Sequence, residues 1–207
     1  MAPRSPASPP ARLSAHDRLL DAAEDLVAAR GWATTPVDVV LARAEVAPAT
    51  LYAHFGSKDR LLAATLDRRL ARWDEAWAAA VDAAADDRGR LLAVFDALDS
   101  FGEAHGRTRW CSFLGAAAEG STSEEAVADA VRRDSALLRD RLHALAGPVV
   151  GEGARAEERA EELGAHLLVV VTGCLAMRLR EPDDDQLTRS RATAELVIDA
   201  FTAPHPA

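Results

Sequence analysis

Apolar positions recur along this chain at helical spacing almost from end to end. Leu19, Leu20, Ala23, Leu26 and Val27 mark one face of a first helix over 15–30. Ser14 with Asp17 three positions on gives it a capping-box-like start, and Gly31 a stop. A brief second helix follows, with Thr35 able to cap it and Val37, Val40, Leu41 and Ala44 on its apolar side. After Glu45-Val46-Ala47, Pro48 opens a third helix whose Leu51 and Phe55 lie four apart on one face. Two short helices joined by so tight a turn predict a helix-turn-helix over 36–55.

Ser57 is placed to cap a long helix reaching about residue 85, with Leu61, Leu62, Leu66, Leu70, Trp73 and Trp77 inward. The pattern then predicts a helix over 88–104 and a shorter apolar segment, "RWCSFLGAAAEG". A helix capped at Ser123 ends near Ala146, where "GPVVGEG" should break it, and a last pair covers 155–180 and 185–202. There is no internal repeat. The fold class expected is all-α.

Composition agrees, since strong helix formers dominate and β-branched or aromatic runs are scarce. Residues 1–12 hold four prolines in the first ten positions and no apolar pattern, so they read as a disordered tail, not a signal peptide. The longest apolar run, "LLVVVTGCLAM", is far short of the roughly 20 residues that span a bilayer. A soluble, cytoplasmic protein with no membrane partner is expected. Cys111 and Cys174 suggest reduced thiols rather than a disulfide framework or a metal cluster.

Charge changes the picture through its distribution. The chain carries a formal −9, yet residues 1–60 contain seven basic and seven acidic side chains, so the remainder holds the whole excess. A nucleic-acid partner would meet the neutral N-terminal part. That part also contains "ATLYAHFGSKDRLL", with the chain's only tyrosine, Tyr52, and only lysine, Lys58, beside His54 and Ser57.

Residues Arg18 to Leu62 resemble the DNA-binding domain of the tetracycline-repressor (TetR) family of bacterial transcription regulators. The resemblance rests on "RLLDAAEDLVAARGW", the Gly31-Trp32 helix end, "VDVVLARAEVA" and above all "TLYAHFGSKDRL". It implies an N-terminal three-helix helix-turn-helix domain followed by an all-helical ligand-binding and dimerisation domain. The boundaries drawn are a tail at 1–12, a DNA-binding domain at 13–73 and a helical domain at 74–207. The implied DNA contacts are Thr34, Thr35, Pro48, Ala49, Thr50, Tyr52, His54 and Lys58. Leu51 and Phe55 would anchor the recognition helix in the core while polar tips reach phosphate oxygens.

The sequence departs from the family pattern in two places. Glu45 stands where the turn usually has glycine, and Ala47 where the recognition helix usually has a capping hydroxyl. The groove-facing candidates include no Arg, Lys, Asn or Gln for bidentate base contacts. Readout would lean on Thr50, thymine methyls, DNA shape and the Arg4/Arg12 tail entering a minor groove. A plain disordered leader is the alternative for that tail.

The resemblance also implies a homodimer through the last two helices, with Leu163, Leu167, Val170, Val171, Cys174, Leu187, Leu196, Val197 and Phe201 at the interface; burial within one chain is the competing reading. A small-molecule effector, apolar or aromatic, would bind among Trp73, Trp77, Phe95, Phe101, Trp110, Phe113 and Leu114, with His105, Cys111, His143 or His166 as polar contacts. The function expected is a ligand-responsive regulator of a double-stranded DNA operator, a repressor by the family's commonest mode. The alternative is a helical small-molecule-binding or interaction protein with a degenerate DNA-binding domain. No catalytic constellation, cofactor motif or metal spacing accompanies Cys111 or the six histidines, so no enzyme activity, cofactor or metal is expected.

Overall fold

A computed structural model describes residues 13–104, 111–118, 125–181 and 185–203. The expected tail, His105, Trp110, the Ser123 cap and His205 lie outside these residues. Among the described residues there are nine helices and no strand: α1 (Ala15–Arg30), α2 (Val37–Ala44), α3 (Pro48–Phe55), α4 (Lys58–Ala83), α5 (Asp87–Ala104), α6 (Ser112–Ala118), α7 (Glu125–Val150), α8 (Ala156–Arg180) and α9 (Asp185–Thr202). The protein is all-α.

The caps explain why α1 and α4 start where they do. The Ser14 hydroxyl oxygen accepts from the Asp17 amide at 3.1 Å, and the Ser57 hydroxyl oxygen from the Arg60 amide at 3.0 Å. Each satisfies one amide that a helix start leaves unpaired. Thr35 does not cap α2. That helix begins after Pro36, while the fully buried Thr35 hydroxyl donates to the Gly31 carbonyl at 2.7 Å. Ala47 precedes α3 with no side-chain cap, and Pro48 occupies the first turn.

The apolar side chains form two cores. The first joins Leu19, Ala23, Val27, Trp32, Val40 and Leu41 to Leu51, Phe55, Leu61, Leu62 and Leu66. It also takes in Phe113, Ala116, Val127 and Ala130, so α6 and the start of α7 help close the N-terminal core. The second core holds Trp73, Trp77, Leu91, Phe95, Leu98 and Phe101 with Leu142, Leu163, Leu167, Val171 and Ile198. The changeover along α4 falls between Leu66 and Trp73, yet the apolar core does not divide at one point in the sequence.

Two features differ from the pattern-based reading. Helix α7 does not end near Ala146 but runs through Gly147 and Pro148 to Val150. Ala146 and Val150 are both buried four apart, which holds the last turn in place. Pro148 removes only the hydrogen bond to the Ala144 carbonyl, and Ala144 is exposed enough for water to take that acceptor. The second feature is α8, whose 25 residues include a window of mean hydropathy 1.5, long and apolar enough by composition to cross a membrane. The apolar run read as too short is thus embedded in a longer apolar helix. One side of it packs against α7: a Cβ on Gly164 would lie 3.0 Å from the His143 amide nitrogen, so the two backbones approach too closely for any side chain there.

Candidate nucleic-acid interface

The interface is built on a corner where α1 ends and α4 begins. Trp32 is buried, and its indole N–H donates to Asp59 Oδ1 at 3.2 Å. Lys58 lies over the same ring, Nζ 4.6 Å from its centroid, and donates to the Trp32 carbonyl at 3.3 Å. The first turn of α4 therefore grips the Gly31-Trp32 corner from two sides. One of the three donors of the ammonium is engaged in this way, and the side chain remains half-buried. The Thr34 side chain is exposed beside it, its hydroxyl donating to the Arg30 carbonyl at 2.7 Å.

Helix α3 shows a clean division of faces. Leu51 and Phe55 are buried, while Pro48, Ala49, Tyr52, Ala53 and His54 are exposed and Thr50 is half-buried. Tyr52 is 54% exposed, one of four large apolar side chains so placed among the described residues. The turn before α3 is made by Glu45 in the left-handed region, φ 53° and ψ 48°, the one non-glycine residue with positive φ among those described. The chain keeps the turn geometry without the glycine that would adopt it freely.

Of the sequence-read contacts, Thr34, Pro48, Ala49, Tyr52 and His54 lie on exposed surface, with Thr50 and Lys58 half-buried. Thr35 does not share that surface: its side chain is sealed, which removes it from the contact set. His16 was not read as part of this surface, although its ring lies against Phe55. Nothing in linear spacing links position 16 to position 55; only the fold does.

The candidate effector residues among those described do not converge on one site. Trp73, Trp77, Phe95 and Phe101 pack together in the second core, with Trp73 at 5.6 Å from Trp77 and edge-on to Phe101 at 5.7 Å. Phe113 belongs to the first core, with Cys111 packed against it from the rim; Leu114 is half-buried. His143 meets Glu157 at 3.1 Å between α7 and α8, and the exposed His166 sits edge-on to Phe201. The Trp77 indole N–H is sealed with no acceptor among the described residues, and Arg141 covers its ring at 4.8 Å.

The interface residues expected on α8 are also redistributed. Leu163, Leu167, Val171 and Cys174 are buried within the chain's own second core region, so they cannot face a partner. The outward positions are Val169 and Leu196, each 71% exposed, with Val170, Leu187, Val197 and Phe201 half-buried. Helical periodicity identified the apolar stripe correctly but could not say which partner covers it.

Between the two cores lies a charged junction. Glu24 of α1 receives Arg68 at 2.7 Å, Arg72 at 2.9 Å and Arg69 at 3.6 Å, all from α4. Arg68 also meets Asp21 at 2.7 Å, and Arg69 lies over the Phe101 ring at 4.9 Å. On α7, burial pushes the Asp134 carboxyl up to about 7, with the Arg69 charge opposing that rise. Burial likewise pushes the Cys111 thiol up.

Residues 19–65 match the family described as bacterial regulatory proteins, tetR family. Over nearly the whole length, the fold is similar to SCO4454, a TetR-family transcriptional regulator from Streptomyces coelicolor, with a TM-score of 0.79 and 26% identity across 91% of this chain and 96% of that one. The N-terminal segment is thus similar to the tetR family, and the whole fold to that of a TetR-family regulator. A TetR transcriptional regulator from Legionella pneumophila has the same fold at a TM-score of 0.76, with 15% identity over 90% of this chain and 98% of that one. Among sequences, the HTH-type transcriptional repressor Rv3405c of Mycobacterium tuberculosis and the HTH-type transcriptional regulator Mb3439c of Mycobacterium bovis are each 41% identical over 80 residues. Those matches take in 36% of this chain and only 43% of each relative. The tetR-family segment covers the Gly31-Trp32 corner, both short helices and the start of α4, the elements that carry the exposed surface above.

Proposed function

We propose that this chain is a homodimeric, DNA-binding transcriptional repressor of the tetR family whose operator affinity is set by a small apolar molecule. The observation that carries the DNA-binding part is the division of α3: Leu51 and Phe55 fix it to the core, and Tyr52 and His54 stand outside it beside Thr34 and the half-buried Lys58. A helix held by one flank with polar tips on the other is what phosphate contact from a major-groove helix requires. The neutral balance of residues 1–60 spares this surface the repulsion that the acidic remainder would create.

The dimer rests on the outward side of α8 and α9. Val169 and Leu196 are large apolar side chains in water, and Gly173, one turn on from Val169, has open space where a Cβ would be. A second copy laid against this side by two-fold symmetry makes a four-helix bundle and spaces two α3 helices for successive major grooves. Support for an effector is the Trp77 indole N–H, a buried donor in an aromatic core that a ligand oxygen would satisfy. Effector binding and DNA binding then oppose each other by one coupling free energy, typically about 1–3 kcal/mol. Such a regulator works in the cytoplasm, where its operator is.

The outward residues of α3 favour one rival. Pro48, Ala49 and Ala53 offer no bidentate base contact, as in an interaction protein with a degenerate DNA-binding domain. Selection of bound fragments from random duplex DNA separates the two. The proposal expects a palindrome with half-sites about one helical turn apart and an affinity that falls steeply with salt. Recovery of no enriched sequence, with weak and salt-insensitive binding, would favour the rival.

A further inference from the structure

A second imidazole faces the end of α3. His16, in the first turn of α1, lies nearly flat against Phe55, with ring centroids 4.9 Å apart and 22° between planes. It meets His54 edge-on at 5.8 Å and 72°. Phe55 is a buried anchor of the recognition helix, so this stack ties His16 to α3 rather than leaving it a free surface side chain. Both imidazoles remain accessible: the His16 side chain is 46% exposed and His54 is exposed. Arg60 of α4 joins the corner, its guanidinium 3.6 Å from the place a Cβ on Gly56 would take. Three helices thus bring His16, His54 and Arg60 around the last turn of α3.

The opposing charge is local and occupied. Asp17 lies 3.4 Å from His16 Nδ1, accepts from the Ser14 hydroxyl at 2.7 Å and feels the more distant Arg68 charge. A carboxylate beside Nδ1 favours the tautomer with its proton on that nitrogen. In that tautomer Nε2 has a lone pair and no hydrogen, which cannot bind a phosphate oxygen. It becomes a donor only when the ring takes up a second proton.

We propose that His16 is a DNA-backbone contact, paired with His54 on the same phosphate rail, and that it gains a proton when DNA binds. This rests on the DNA-binding reading above. A phosphate favours the charged imidazole, so by linkage operator affinity rises as pH falls through the range in which imidazole titrates.

The test uses the full chain and a duplex recovered by selection, with binding followed by fluorescence anisotropy at about pH 8 and about pH 6. His16→Phe keeps the aromatic stack on Phe55 but has no N–H; His16→Gln keeps a neutral donor without the charge. The wild type should bind several-fold more tightly at the lower pH. H16F should lose about three- to tenfold in affinity there, lose most of the pH dependence, and lower the salt slope by about one per protomer, about two for the dimer. H16Q should also lose the pH dependence while keeping part of the affinity at the higher pH, which holds the test open if H16F folds poorly. Folded variants that bind like the wild type at both pH values overturn this inference and leave the DNA-binding reading standing. A wild type that binds no duplex at either pH overturns both.

Discussion

Replacing Glu24 by Gln tests what fastens α1 to α4. The Glu24 side chain is 12% exposed and receives guanidinium groups at 2.7 Å and 2.9 Å, with a third at 3.6 Å. Gln fills nearly the same volume, so the change removes charge and little packing. It leaves the mostly buried Arg68 with Asp21 alone and takes from the mostly buried Arg69 its contact with Glu24. Removing one partner of a buried ion pair costs about 3–5 kcal/mol, chiefly because the remaining charge is left in a poor solvent. Asp21 still serves Arg68 and Arg72 can turn to water, so the loss should lie near the bottom of that range, about 3 kcal/mol. Asp25→Asn is the matched control. Its partner Arg43 is just as close, at 2.6 Å, but both side chains are more than half exposed, and the expected cost is below about 1 kcal/mol. Urea unfolding at one fixed protein concentration, with the slope checked for constancy, measures both. Equal losses for the two variants would refute the argument that burial, not distance, sets the strength of these contacts.

Three further outcomes can be checked. Asp134→Asn should flatten the pH dependence of stability: with its native value raised to about 7, the folded chain keeps a proton that the unfolded chain releases. Stability therefore falls as pH rises from about 4 to about 7 and is level above that, and thermal melts across this window should show Asn gaining up to about 4 kcal/mol at the upper end. Glu45→Gly should raise stability by about 0.5–1 kcal/mol, because the strain of a left-handed non-glycine residue exceeds the entropy lost on fixing glycine; a lower melting temperature would count against it. Val169→Glu combined with Leu196→Glu should convert dimer to monomer in sedimentation without unfolding the chain, since both side chains face solvent. Leu167→Ala, by contrast, should cost about 2–5 kcal/mol of folding stability, and the same response from both variants would sink the proposed interface.

What the sequence revealed and what it concealed divide along one line. The caps at Ser14 and Ser57, the Pro48 start and the Leu51/Phe55 anchor depend on residues within a turn or two of each other, and all were legible. Thr35 was misread because its hydroxyl found the Gly31 carbonyl behind it instead of the helix ahead. The end of α7 was misread because Pro148 is tolerated where Val150 is buried against other helices. His16, the Glu24 junction and the scattering of the effector candidates depend on contacts between distant segments, which no local pattern encodes. The dimer stripe shows the limit most clearly. Leu163, Leu167, Val171 and Cys174 form a proper inward face, yet Leu168, Val169 and Val170 between them are apolar too. A helix covered on one side alternates apolar with polar positions around its circumference; an apolar run without such a break is what a helix needs when both sides are covered. The informative signal in "LLVVV" was therefore not the stripe but the missing polar face, and Val169 at its centre marks where a second chain would lie.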